Sequence, residues 1–120
     1  MILVDTSVWI AHLRGEDIGL ESILNDGHAV CHPFIIGELA CGNLKNRSEI
    51  LSLLKALPVS TNAEDDEVLR FIENYNLMGK GLGYIDVHLL SSAVLSKISL
   101  WTFDKRLHEE SVKLGLDFRH

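Results

Sequence analysis

The strongest constraint on the fold is an alternation. Short apolar runs at residues 1–5, 28–32, 58–60 and 99–103 are separated by segments long and periodic enough to be helices. The first run, MILVD, is unbroken apolar sequence closed by an acid, the pattern of a strand buried on both faces. The second is HAVCH, the third PVS and the fourth SLWTF. LDF, residues 116–118, adds a short edge strand.

The intervening segments carry helix punctuation. Residues 6–14 place Val8, Trp9 and Leu13 at helical spacing before Gly15. A short helix is predicted over 18–24. Pro33 suits the first turn of a helix that runs to Gly42-Asn43. Residues 47–57 carry Ile50, Leu51, Leu53, Leu54 and Leu57, and Pro58 stops them. Four acids, Glu64 to Glu67, occupy the first turn of the next helix, where the macrodipole favours them. Val68, Phe71, Ile72, Tyr75 and Met78 form its apolar stripe. After the loop GKGLG, residues 84–98 are apolar around most of the helix, as a central, covered helix requires. Residues 104–115 are amphipathic.

Strands alternating with helices predict a parallel sheet covered on both faces, a three-layer α/β/α sandwich. A chain of 120 residues supplies one compact domain, residues 1–120, and its 47% hydrophobic content fills one core. No apolar run reaches the roughly 20 residues that cross a bilayer. Cys31 and Cys41 fit neither a metal pair nor a disulfide framework, and read as buried thiols of a reduced, cytoplasmic protein.

The net charge is −6, from 11 basic and 17 acidic side chains, which opposes nucleic-acid binding by general charge attraction. Two divalent cations held by the chain would remove most of that excess. The positions of the acids therefore matter more than their sum.

Four acids stand in awkward places. Asp5 and Asp104 each close an apolar run and open a helix, so either alone is explained as an N-cap. Glu38 lies in PFIIGELACG, an apolar setting from which a carboxylate must reach water, a cation or a proton. Asp86, in YIDVHLL, is a first-turn acid of an apolar helix. Parallel α/β sheets build sites at the carboxyl ends of their strands, where all four acids can meet. Carboxylates gathered at about 4 Å repel by roughly 4 kcal/mol per pair at an effective dielectric near 20. A cation or shared protons must offset that repulsion. Oxygen ligands without thiolate or imidazole point to Mg²⁺ or Mn²⁺, which can activate water against a phosphodiester.

The ordered set DTSVW, IIGEL, YIDVHLLSSA and LWTFDKRL resembles the PIN domain, and within it the VapC-type toxins of bacterial toxin–antitoxin pairs. The resemblance implies a Mg²⁺- or Mn²⁺-dependent endoribonuclease that cuts structured RNA of the tRNA or rRNA class. Asp5, Glu38, Asp86 and Asp104 stand at the family's acidic positions, with Ser7 and Thr102 as supporting hydroxyls. It also implies a homodimer and a small antitoxin that wraps the toxin. Candidate RNA contacts are Arg14, Lys80 and Lys105, and further out Lys45, Arg47 and Arg106. Lys80 leads these, because its glycine loop runs into Asp86.

Other readings fit less well. A phospho-receiver needs an acid at the end of its third strand, where this chain has VST, and an acidic pair after its first strand, where Thr6 follows Asp5. A D-x-D phosphatase fails at Ser7. A catalytically silent PIN-like scaffold that binds protein or RNA is the non-enzymatic alternative; it would be signalled by a missing acid, and none is missing. His28 and His32 lie four apart on a strand, which does not converge on one ion, and His12, His88, His108 and His120 show no ligand spacing. These histidines are expected to be satisfied or exposed. Trp9, Trp101 and Phe103 are expected to pack in the core or on the sheet.

Overall fold

The computed structural model describes residues 1–119; His120 lies outside them. Its centre is a parallel sheet in the order β2-β1-β3, built from β1 (Ile2–Val4), β2 (Ala29–Val30) and β3 (Ser99–Trp101). Ile2 pairs with Ala29 on one side and Ser99 on the other, and Val4 pairs with Trp101. Leu3 and Val4 are fully buried, as the unbroken apolar run requires of a middle strand. Helices cover both faces, completing the three-layer sandwich.

The two outer runs are shorter than their sequences suggest. Residues 58–60 and 116–118 each form a single parallel bridge, Cys31 with Val59 and Leu100 with Asp117. Pro58 has no N–H, and Val59 is half exposed, so pairing on that edge stops after Cys31 N–H donates to Pro58 and Ser60 N–H to Cys31. β3 also ends early. Trp101 is buried, but Phe103 is 52% exposed and belongs to the turn that follows, against the packing expected of it.

The helices are α1 (Thr6–Leu13), α2 (Leu20–Asn25), α3 (Pro33–Cys41), α4 (Arg47–Ala56), α5 (Asp65–Tyr75), α6 (Tyr84–Ser96) and α7 (Lys105–Lys113). α6 is the central helix, with every residue from Val87 to Ala93 buried. α5 stops at Tyr75 because Asn76 turns left-handed (φ 52). Met78 therefore leaves the stripe for solvent and Leu77 is buried instead, while Tyr75 stays half exposed against the ring of Phe71. In α4 only Leu54 is fully buried, and Leu53 faces out. Both cysteines are free thiols; Cys31 is buried, which pushes its pKa up to about 11, but Cys41 is exposed at the end of α3. No helix among the described residues is long and apolar enough to cross a membrane.

Candidate active site

The carboxyl rim of the sheet collects four helix starts. α1, α3, α6 and α7 begin beside it, so their N–H groups and dipoles face the acids. Asp5 follows β1 directly and is 6% exposed. Its Oδ2 accepts from the Ser7 hydroxyl at 2.7 Å, the Thr102 hydroxyl at 2.8 Å and, more weakly, the Ser7 N–H at 3.4 Å. The last contact is the predicted N-cap, and the other two exceed it.

The two hydroxyls also organise the turn after β3. Phe103 N–H donates to Ser7 Oγ at 3.0 Å and Asp104 N–H to Thr102 Oγ1 at 3.0 Å. Asp104 then caps α7, its Oδ1 accepting from Leu107 N–H at 2.9 Å. Asp104 thus stands three residues past the end of β3 and is held to the rim by Thr102.

Asp86, in the first turn of α6, accepts from Gly83 N–H at 2.9 Å through Oδ2. Burial raises its carboxyl pKa above the ordinary value, and the nearby charges of Asp5 and Asp104 raise it further. Three acids far apart in sequence therefore share one electrostatic neighbourhood. Glu38 joins them indirectly: Thr6, next to Asp5, donates its hydroxyl to Glu38 Oε1 at 2.8 Å. Glu38 is exposed on α3 and lines a groove of about 680 Å³ between α1, α3 and the start of α4.

The donor chemistry suits a hard cation. In each of the four carboxylates one oxygen is held by a protein donor, and among the described residues the other takes no hydrogen bond or ion pair. Among the described residues no lysine or arginine pairs with any of them. The acids have not closed on a single point, since no three His, Cys, Asp or Glu side chains among the described residues are grouped as a ready metal cage. A bound cation would offset the repulsion among their charges.

The basic candidates divide. Arg14 and Lys45 line the groove with Glu38. Lys80 is exposed in the loop between Gly79 and Gly81, and the Arg106 side chain lies across Gly81. Lys105 borders a separate hollow with Thr102 and Phe103. Arg47 is taken up by the fold, donating to the Ala40 carbonyl at 3.0 Å.

Two features escape a reading by sequence. Thr6 is one; its hydroxyl in DTS was a signal without a visible partner. The histidines are the other. His32 and His88 are 1% and 3% exposed, yet among the described residues the Nε2 of each meets no hydrogen-bond partner, against the expectation of satisfied or exposed imidazoles.

Comparison with known proteins settles the family. The PIN domain model matches residues 2–111. The chain belongs to the PIN-domain family. This PIN domain is 48% identical over 120 residues to Ribonuclease VapC32 of Mycobacterium tuberculosis, in both the CDC 1551 / Oshkosh and H37Rv strains. Those matches cover 97% of this chain and 94% of the relative, which makes it a PIN domain of the VapC type. The crystal structure of PAE2754 from Pyrobaculum aerophilum shares the fold, with a TM-score of 0.62 over 96% of this chain and 88% of that one, at 21% identity.

Proposed function

We propose that this PIN domain, acting as one unit over residues 1–120, is a divalent-metal-dependent endoribonuclease and the toxin of a toxin–antitoxin pair. The observation that carries the reading is the shared environment of Asp86, Asp5 and Asp104, three carboxylates with free oxygens at one sheet rim. The relationship to a ribonuclease of the VapC type supplies the substrate class.

Asp5, Asp86 and Asp104 would hold Mg²⁺ or Mn²⁺, with Glu38 as a further ligand or as the group that orients the attacking water. The bound ion would supply an activated water and neutralise charge on the phosphodiester. The chain's own residues supply the rest. Ser7 and Thr102 fix Asp5 Oδ2, and among the described residues its other oxygen takes no hydrogen bond. The N-termini of α1, α6 and α7 add positive potential where phosphate charge develops. Glu38 would orient the attacking water and take up one of its protons as the new P–O bond forms, and the departing ester oxygen would take a proton from solvent. Arg14, Lys80 and Lys105 contact the RNA backbone on either side.

The substrate is structured RNA of the tRNA or rRNA class, met in the cytoplasm. The groove beside Glu38, apolar through Ile10, Leu13, Leu39 and Ile50, receives the small antitoxin. A homodimer accounts for outward-facing Leu53 on α4. The test is incubation with total RNA, with and without Mg²⁺ or Mn²⁺, followed by mapping of new 5′ ends. Defined, metal-dependent ends support the reading; unchanged RNA under every condition overturns it.

A further inference from the structure

Beside the acid rim lies a pocket of about 350 Å³ whose chemistry the cleavage reaction does not use. It is bounded by His32 and Phe34 at the start of α3, by Asn62 before α5 and Asp65 at its first position, and by His88 of α6. His32 and His88 are more than nine-tenths buried, and among the described residues the Nε2 of each makes no hydrogen bond.

The tautomer of His32 is fixed by its neighbour. Its Nδ1 accepts from Phe34 N–H at 3.0 Å, so a neutral ring carries its proton on Nε2. Burial, with His88 nearby, keeps the ring neutral by pushing its pKa down to about 4. His32 Nε2 is thus a buried donor seeking an acceptor. It cannot ligate a metal, because a ligating imidazole donates from its other nitrogen, which here already accepts. A phosphate is disfavoured too, since Glu64 and Asp65 line the same pocket.

The remaining partner chemistry is neutral, planar and able both to accept and to donate. His88 Nε2 lies 3.5 Å from Asp65 Oδ1, too far for a good hydrogen bond, and Tyr84 donates its hydroxyl to that oxygen at 3.0 Å. Asp65 Oδ2 takes no hydrogen bond among the described residues. Phe34 and Tyr84 stand edge-on to His88, with centroids 4.7 and 4.6 Å away, and each ring is more than a third exposed. Phe34 and Glu38 are four apart on the exposed side of α3, just over one helical turn or about 6 Å of rise. An aromatic-walled pocket therefore sits one turn from a candidate catalytic acid.

We propose that this pocket receives the nucleobase of an unpaired guanosine next to the cleaved phosphodiester, and so sets where the RNA is cut. A carboxylate beside an N–H donor complements an edge with two adjacent donors and a neighbouring acceptor, as guanine's N1–H, N2–H and O6 provide. Exposed aromatic rings give stacking, and splayed single-stranded bases are the ones proteins read by their edges.

The inference rests on the RNA-cleavage reading, and two measurements separate their failures. The first is NMR of the His32 and His88 ring signals during titration with GMP, AMP, CMP and UMP, which needs no activity. GMP should shift both rings at a concentration at least tenfold below the others. Equal response to all four, response to another base, or no response overturns the proposal even if RNA is cut. The second compares 5′-end maps of the wild type and Asp65→Asn, a change at a side chain that is 82% exposed. A guanine at one fixed position beside the cut, with its preference reduced at least tenfold in the variant, supports the pocket. Cuts with no base preference, or a preference unmoved by the variant, overturn it.

Discussion

The Thr102 hydroxyl donates to Asp5 Oδ2 at 2.8 Å, joining the ends of two adjacent parallel strands across 97 positions of sequence. The same oxygen atom of Thr102 accepts from Asp104 N–H, so one side chain aligns both strand-end acids. Thr102→Val keeps the shape and removes both interactions. Stability should fall by about 1 kcal/mol, with a further cost from the buried carboxylate oxygen left with Ser7 alone. RNA cleavage should fall about tenfold or more, as judged by thermal unfolding and cleavage rates measured together. A variant as active as wild type would remove Thr102 from the site.

Asp86 reports on its neighbours. Its raised pKa comes first from burial and then from Asp5 and Asp104. Asp104→Asn should bring the Asp86 carboxyl back toward its ordinary value in a metal-free NMR titration. The sign for stability follows. A group with a folded pKa above its unfolded one stabilises at low pH, and that stabilisation is lost as pH rises through the folded value. Metal-free protein should accordingly gain stability on Asp86→Asn at neutral pH, seen as a higher denaturation midpoint. A lower midpoint would contradict the repulsion described here.

His32 gives the opposite slope. Its pKa, down to about 4, lies below the 6.5 of an unfolded histidine, so unfolding takes up a proton between those values. Stability should therefore drop as pH falls from 6.5 toward 4, by up to about 1.4 kcal/mol per pH unit. His32→Asn retains a capping side chain for α3 and should flatten that part of the curve. Urea midpoints at several pH values, compared between the two proteins, measure the difference; parallel curves would contradict it.

Gly81 holds φ +78, and a Cβ there would run into the Arg106 guanidinium group. Gly81→Ala should destabilise by about 1–2 kcal/mol from the left-handed backbone alone, and more from the clash. Arg106→Ala should recover the second part only. A double-mutant cycle by chemical denaturation reads the coupling, and strict additivity would show that the two residues do not meet.

The layers of the fold were legible because strand and helix periods differ and the glycines and prolines mark the joints. The outer strands were not, because PVS and LDF have the composition of strands but only enough backbone for one bridge each. The four acids were legible by type and position. Their unequal relationship was not: Asp86 feels the charges of Asp5 and Asp104, whereas Glu38 is tied in through Thr6, whose role depends on how α1 meets α3. Cys41, Phe103 and Met78 misled for one reason. Apolar character predicts burial, but each stands at or just past the end of an element, where the chain turns outward. The His32–His88 pair was hidden because 56 residues separate two rings that only the packing of α6 against the start of α3 brings within 6.5 Å.

Calorimetric titration of Mn²⁺ into the metal-free protein probes the acid cluster most directly. The wild type should take up one or two ions saturably, with binding weakened at least tenfold in Asp5→Asn while the fold persists. No uptake, or uptake that Asp5→Asn leaves untouched, would contradict it.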